Sequence, residues 1–197
     1  MNEPCRLAFV LSFCLPLLWA PVTSWAWGTS GSGASTAEHR VAPGNYSGLP
    51  DRKITPGTVN VDMTEALLLA SCHTKGWTKL YRPPVSYTNG LKRIQMKQYG
   101  YSSTDPRDYE EDHLVPLCLG GASQDPKNLW PQPRGIEWSA EKKDKLEAQL
   151  CRLVCNGKVP LREGQQAFAV DWIAAYGKYV ESGRYGGYRR TKDETAE

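Results

Sequence analysis

The segment from Glu110 to Trp130 is the feature of this 197-residue chain that most limits how it can fold. It sets an Asp-His pair, Asp112-His113, in a run with β character, ahead of a glycine turn at residues 120–121. Asn128 opens a second short apolar run after the turn. A chain that folds back at the glycines returns the second run to the first. We therefore expect a hairpin that brings an acid, an imidazole and an amide together beside the next helix.

Helical patterns flank the expected hairpin on both sides. Capping residues and apolar residues at three- and four-residue spacing predict helices over residues 64–70, 86–99, 140–155 and about 161–180. Two successive prolines predict an extended connector over residues 77–85, because the residue before a proline is pushed out of the helical region. The sequence therefore predicts an α+β fold, in which a hairpin-helix core is surrounded by additional helices.

The two ends of the chain differ in composition from the middle. Residues 1–26 combine a short polar start, an apolar run and small residues near the end, which is the pattern of a cleaved secretory signal peptide. Residues 27–50 are rich in Gly, Ser, Thr and Ala and predict a flexible linker, while residues 183–197 predict a disordered tail. We expect one domain over residues 51–182, exported to the periplasm or the cell exterior, with no stable membrane association after signal cleavage.

Four cysteines follow the predicted signal peptide, at Cys72, Cys118, Cys151 and Cys155. An even number in an exported chain predicts two disulfides, for which three pairings are possible. Cys151 and Cys155 lie four residues apart on one predicted helix, which is a poor geometry for a bond between them. We therefore expect each of these two to pair with Cys72 or Cys118, in an order that the sequence leaves open. No Cys-x-x-Cys occurs, which disfavours a zinc site.

The Asp-His pair carries the chemistry that the sequence predicts. The neutral imidazole of His113 can take a proton from water near neutral pH. The carboxylate of Asp112 suits a hard divalent cation such as Mg²⁺, which can polarise a phosphate ester beside the base. Asn128 is a candidate either to orient the imidazole or to bind the metal.

These residues resemble a known family. Residues 112–117, Asp-His-Leu-Val-Pro-Leu, followed by Gly-Gly at 120–121 and Asn-Leu at 128–129, are similar to the signature of the HNH endonucleases, whose site is a ββα-metal hairpin and helix. The resemblance implies that His113 is the general base and that Asp112 binds the metal. It also implies that Asn128 completes the hairpin site.

The resemblance extends over most of the predicted domain. Residues from about 72 to 179 are similar to the small exported HNH-type proteins of bacteria. The similarity lies in three runs: Arg82–Thr88, Asn128–Pro131 and Lys143–Glu147. It implies that the whole domain, and not the motif alone, has the architecture of that family.

One position departs from the HNH pattern. A His or Asn is expected about nine residues after Asn128, where this chain has Glu137, and no His follows His113. Either a carboxylate from Glu137, Asp144 or Glu147 takes the place of this ligand, or the metal site is incomplete. Asp144 and Glu147 lie three residues apart on a predicted helix and share a face. The alternative for this pair is a solvated cluster of helix-surface charges.

Basic side chains near the motif are candidate contacts to substrate phosphates. The net charge of +3 permits a polyanionic partner but does not require one. Lys92 and Arg93 on the second predicted helix, together with Arg134 and Lys143 near the motif, are the candidate nucleic-acid-binding residues. For the two on the helix, the alternative is a solvated helix face.

Taken together, these features predict a metal-dependent endonuclease that hydrolyses phosphodiester bonds of DNA or RNA with Mg²⁺ or Mn²⁺. The alternative is a non-catalytic nucleic-acid-binding module that retains a degenerate HNH hairpin, because the third ligand departs from the pattern. A third class is a different zinc or calcium hydrolase that uses the same residues. Zinc fits the single His poorly, since catalytic zinc usually takes several His, Cys or carboxylate ligands. Nothing in the sequence indicates an oligomeric state.

Overall fold

The described residues of this computed structural model are 46–186. The predicted signal peptide at 1–26 lies outside them, as do residues 27–45 of the predicted linker and residues 187–197 of the predicted tail. Within the described range, no helix is both long enough and apolar enough to cross a membrane.

Within residues 46–186, helices make up most of the regular structure and two strands form one small sheet. In chain order the elements are α1 (Glu65–Ser71), α2 (Val85–Gln98), β1 (Tyr109–His113), β2 (Leu129–Pro133), α3 (Ala140–Cys155) and α4 (Leu161–Tyr176). Short 3-10 turns lie at Trp77–Tyr81, Pro106–Asp108 and Leu117–Leu119, and a π turn at Gly177–Glu181 follows α4. Helices with a two-stranded antiparallel sheet confirm the predicted α+β class.

The predicted hairpin forms from β1 and β2. The strands pair antiparallel, with Tyr109 opposite Pro133 and His113 opposite Leu129. Gln95 of α2 is buried against the sheet and donates from Nε2 to the carbonyl of Leu129, at 2.8 Å. α2 therefore packs directly on the hairpin and holds the first residue of β2.

Two glycines shape the loop between the strands. Gly120 ends the Leu117–Leu119 turn at a φ of +76°, a left-handed conformation that glycine adopts without strain. Gly121 lies so close to the carbonyl of Val115 that a Cβ atom would overlap it. A side chain at either position would therefore displace the loop that follows His113.

The connector before α2 differs from its prediction. Trp77–Tyr81 form a 3-10 turn that begins after Gly76, whereas the sequence predicts an extended segment there. Extended backbone is found at Arg82 and Pro84, around the proline pair. The proline effect acts on the immediately preceding residue and does not reach back into the turn. α2 then begins at Val85, because a proline at the N-cap removes no helical hydrogen bond.

The apolar faces of α3 and α4 meet in the main core. The apolar residues that recur at three- and four-residue spacing on the two helices are largely buried. The buried members are Leu146, Leu150, Leu153 and Val154 on α3, with Phe168, Trp172, Tyr176 and Tyr179 on and just after α4. This packing holds α3 at a defined position, with its first turns beside the hairpin.

Two disulfides join α3 to other segments. Cys72 pairs with Cys155, and Cys118 pairs with Cys151. Each helical cysteine pairs outward, as predicted, and the structure supplies the order that the sequence leaves open. Cys118 belongs to the loop of the hairpin, so its bond ties that loop to α3.

The packed region extends past both boundaries of the predicted domain. Trp172 donates from Nε1 to the carbonyl of Gly48 at 2.9 Å, and a Cβ atom on Gly48 would overlap Trp138. At the other end, Gln149 donates from Nε2 to the carbonyl of Gly186 at 3.1 Å. Residues 46–50 and 183–186 therefore belong to the folded part, rather than to a linker and a tail.

Removing the two disulfides separately should destabilise the protein to different extents. Cys72–Cys155 spans a sequence separation of 83 and Cys118–Cys151 one of 33. In the chain-entropy model a disulfide contributes about 2–4 kcal/mol, and the longer loop contributes roughly 0.8 kcal/mol more. We expect urea titration to give a lower free energy of unfolding for the Cys72→Ala/Cys155→Ala variant than for Cys118→Ala/Cys151→Ala. The reverse order would mean that packing around Cys118 outweighs chain entropy.

Candidate active site

The Asp-His pair lines a cavity of about 470 Å³ beside the hairpin. Four consecutive residues of β1, Glu110–His113, line it together with Asp144 and Glu147 of α3. Arg82 and Val85, from the start of α2 and the segment before it, form another part of the wall. Consecutive strand residues alternate between the two faces of a sheet, so residues from both faces of β1 contribute to the cavity wall.

Asp112 joins the hairpin to α3. The register pairs Asp112 with Trp130 and His113 with Leu129, so the two side chains leave opposite faces of the sheet. The Oδ1 atom of Asp112 accepts a hydrogen bond from the backbone N–H of His113 at 2.8 Å. Its Oδ2 atom accepts one from Nζ of Lys143 at 2.7 Å. Both carboxylate oxygens are therefore held in place by the protein.

His113 has a defined tautomer. Its Nε2 lies 2.9 Å from the carbonyl oxygen of Ser123. A carbonyl can only accept, so Nε2 carries the hydrogen and Nδ1 is the basic nitrogen. Burial is the main cause that lowers the pKa of His113, against the opposing effects of the Ser123 carbonyl and of Asp112. The imidazole is therefore neutral near pH 7, as a general base has to be.

Asn128 organises the loop from within. It is fully buried, and its Nδ2 donates to the carbonyls of Val115 and Ala122, both at 3.0 Å. Its Oδ1 accepts from the backbone N–H of Val115 at 2.9 Å. Oδ1 also accepts from the backbone N–H of Thr58 at 3.4 Å. The amide thus bonds to backbone groups and to neither the imidazole nor a carboxylate of the cavity. It acts on His113 only indirectly, because Ala122 precedes the Ser123 whose carbonyl holds the ring.

The cavity is rich in carboxylates that are costly to charge. Burial raises the pKa of Glu111 to about 8 and that of Glu147 to about 7, the latter against the attraction of Lys143. Burial and then repulsion from Asp112 also raise the pKa of Asp144, whose exposed position on α3 screens part of this effect. A cation in the cavity would stabilise the charged forms.

The predicted metal ligands are only partly brought together. Asp112, Asp144 and Glu147 line the cavity, whereas Glu137 is exposed in the turn before α3 and does not. Among the described residues, no three His, Cys, Asp or Glu side chains converge closely enough to form a complete metal site. The donor chemistry nevertheless fits a hard cation, since Mg²⁺ binds through one or two carboxylates and keeps several waters.

Of the four predicted phosphate contacts, Lys143 is buried and the other three lie together near the start of β1. Lys143 is fully buried, so it does not offer its charge to a ligand at the surface as predicted. Lys92 is half-buried and donates from Nζ to the carbonyl of Tyr109 at 3.1 Å. Arg93 is exposed, and Arg134 forms an ion pair of 2.6 Å with Glu110. The pKa of Lys92 is lowered first by burial and also by Arg134 and Arg93, so these three form one basic cluster at the start of β1.

Arg82 lies at the cavity, although its place in the connector and in the Arg82–Thr88 run does not predict a site residue. It lines the cavity, and its positive charge lowers the pKa of both His113 and Glu147, although burial is the larger influence on each. The sequence feature that could have indicated Arg82 is its position directly before a proline, where the backbone is restricted to an extended conformation. Cationic side chains therefore stand at both ends of β1.

Comparison with protein-family models, with curated proteins and with solved structures finds no match to this chain. Its function therefore has to be inferred from the cavity and from the side chains around it. The groups that could act chemically are the Asp-His pair, the loop that holds it and the carboxylates of α3.

Replacing Asn128 should reduce stability strongly. Asn128→Ala leaves the N–H of Val115 and two loop carbonyls without their buried partner, which should cost on the order of 3 kcal/mol. Urea unfolding followed by tryptophan fluorescence measures this. Asn156→Ala, on the exposed C-cap of α3, is the matched control and should change stability by less than about 0.5 kcal/mol. Equal effects of the two variants would contradict the structural role of Asn128.

Two cavity carboxylates with raised pKa values should make the metal-free protein less stable as the pH rises; the side chain of Glu147 is a third exposed, which weakens its share. The pKa values of Glu111 and Glu147, about 8 and about 7, exceed the ordinary value of 4.5. The folded state therefore binds more protons than the unfolded state near neutral pH, so stability falls as the pH rises through 7 and 8. In EDTA, the melting temperature should be higher at about pH 6.5 than at about pH 8.5.

A variant isolates the contribution of Glu111 to this slope. Glu111→Gln should reduce the difference in melting temperature between the two pH values, because the amide carries no charge at either pH. Glu65→Gln, on the exposed side of α1, should leave the slope unchanged. An unchanged slope in Glu111→Gln would mean that Glu111 ionises in the folded state as it does in the unfolded chain.

Proposed function

We propose that this protein is a metal-dependent endonuclease that hydrolyses phosphodiester bonds of DNA or RNA. The observation that supports this most directly is that the neutral imidazole of His113 lines one cavity with the carboxylates of Asp112, Asp144 and Glu147. The resemblance of the hairpin to the ββα-metal signature agrees with it. A base, an oxygen-rich ligand set and nearby cations are the groups that phosphodiester hydrolysis requires.

His113 is the general base in this proposal. The carbonyl of Ser123 fixes its ring through Nε2, and the basic Nδ1 takes the proton from the water that attacks phosphorus. The lowered pKa keeps the imidazole unprotonated at neutral pH, so the base is available without prior loss of a proton. Asn128 and the glycine turn maintain the loop that positions Ser123.

Asp112, Asp144 and Glu147 would hold the metal. Burial raises the pKa of both helix residues, and the charge of Asp112 raises it further, which indicates that Asp112 lies near both. When bound, a divalent ion such as Mg²⁺ or Mn²⁺ polarises the phosphate and stabilises the charge that develops on the leaving oxygen. Asp112 and His113 leave opposite faces of β1 but line the same cavity, so a phosphate bound there is within reach of both.

Cations at the two ends of β1 supply contacts to the nucleic-acid backbone. Arg82 lines the cavity near His113 and is suited to the scissile phosphate. Lys92, Arg93 and Arg134 lie at the other end of the strand and are suited to a neighbouring phosphate. Contacts of this kind position the backbone and carry no sequence information, so little sequence preference is expected.

A nucleic-acid-binding module without catalysis is the second candidate. It is favoured by the absence of a complete three-ligand metal group among the described residues. One assay distinguishes the two candidates. The mature protein is incubated with plasmid DNA and with RNA in Mg²⁺, Mn²⁺ or EDTA, and cleavage is measured. The endonuclease should cut with a metal and not with EDTA, whereas a folded protein that retards nucleic acid without cutting it would be the binding module.

His113→Ala should lower the cleavage rate by about 10²–10⁴-fold, the usual contribution of a general base. The variant should keep its fold, because the side chain makes one hydrogen bond to the loop. His73→Ala, at an exposed position after α1, is the matched control and should cleave at the parent rate. Cleavage by His113→Ala at the parent rate would mean that another residue is the base.

A further inference from the structure

Lys143 is a buried cation at the centre of the acidic cluster. Its side chain is fully buried, which is rare for lysine unless the charge is paired. Nζ donates to Oδ2 of Asp112 at 2.7 Å and lies 3.8 Å from Oε2 of Glu147. The ring of Phe168 lies on another side, with its centroid 5.3 Å from Nζ. The ammonium thus links β1 to α3 from inside the protein.

Packing alone does not account for a lysine at this position. An apolar side chain of similar volume would fill the space against Phe168, and replacing a buried ion pair by apolar residues is often neutral or stabilising. Breaking the pair by removing one partner is what destabilises a fold. The charge of Lys143 is therefore better explained by the carboxylates that it faces than by the core behind it.

The surroundings of the cavity explain what this charge does. Five carboxylates line it: Glu110, Glu111, Asp112, Asp144 and Glu147. Among the described residues, Arg82 is the cation on the same wall, whereas Lys143 lies behind the wall. Its charge reaches Asp112 and Glu147 without taking up space that a ligand would use.

We propose that Lys143 is a positioning residue that acts as a built-in cation, holding Asp112 and taking the place of a second divalent ion. With Oδ1 held by the N–H of His113 and Oδ2 held by Lys143, Asp112 can offer a metal one free lone pair on either oxygen. Asp112, Asp144 and Glu147, which line the cavity, would then hold one divalent ion. This inference rests on the proposed function for the presence of a metal site.

Lys143→Met tests it, with Mn²⁺ alone as the probe. Isothermal titration calorimetry gives the number of Mn²⁺ ions bound and their dissociation constants. Wild type should bind one ion, and Lys143→Met should bind either a second ion or the first at least ten-fold more tightly. Mn²⁺ should also raise the melting temperature of the variant more than that of wild type. Equal stoichiometry, affinity and melting shift in a folded Lys143→Met would overturn the proposal.

Two further variants separate charge from packing. Lys142→Met is the matched control, because Lys142 is next in the chain but lies over the ring of Trp138, 4.1 Å from its centroid, instead of among carboxylates. It should bind Mn²⁺ as wild type does, and so should Lys143→Arg, which keeps the charge. If Lys143→Met does not fold in EDTA, Mn²⁺ should restore its folded circular dichroism spectrum, and failure to do so would overturn the proposal.

These readouts separate the inference from the endonuclease function, since none of them depends on cleavage. A wild type that cuts no nucleic acid, together with a Lys143→Met variant that gains Mn²⁺, would reject the function and support the inference. A wild type that cuts nucleic acid, together with a Lys143→Met variant that binds Mn²⁺ as wild type does, would support the function and reject the inference. Absence of Mn²⁺ binding in both proteins would overturn the inference as well as the metal dependence.

Discussion

The ion pair between Asp112 and Lys143 connects the two parts of the candidate site. Asp112 belongs to the hairpin, Lys143 belongs to α3, and their charged atoms meet at 2.7 Å in a buried position. A buried lysine requires a partner, and a carboxylate among other carboxylates requires a cation. Each residue therefore satisfies the electrostatic need of the other. The disulfide between Cys118 and Cys151 holds the same two parts together covalently.

Around this pair, burial has opposite effects on bases and acids. It lowers the pKa of His113, so the imidazole stays neutral, and it raises the pKa of Glu111 and Glu147, so those carboxylates resist ionisation. A base that is neutral and an acidic cluster that favours cations are compatible with hydrolysis of a phosphodiester beside a metal ion. The same cavity without a bound cation is a source of instability, which links the stability of the protein to its chemistry.

Some parts of the site could be read from local sequence because local rules determine them. The glycines at 120–121, the Asp-His pair and the following apolar run predict the hairpin, since a turn and strand pattern act over a few residues. The cysteines four apart on α3 predict outward pairing, because helix geometry sets the direction of both side chains. Asp144 and Glu147 share a helix face for the same reason. The hairpin and the pairing are confirmed, and the ligand role remains a prediction.

The main helices, the hairpin and the helix faces could be predicted from the sequence alone, because each depends on residues close together in the chain. Trp77–Tyr81, predicted to be extended, instead form a 3-10 turn. The tertiary structure decided which residues surround the cavity. It buried Lys143, which looks like any other surface lysine in its helix pattern, and brought Arg82 to the site from a connector. Asn128 bonds to the backbone of the loop and not to His113, and Glu137 does not line the cavity. The burial, charge and partners of a side chain depend on segments that are distant in the chain, and no local pattern encodes them.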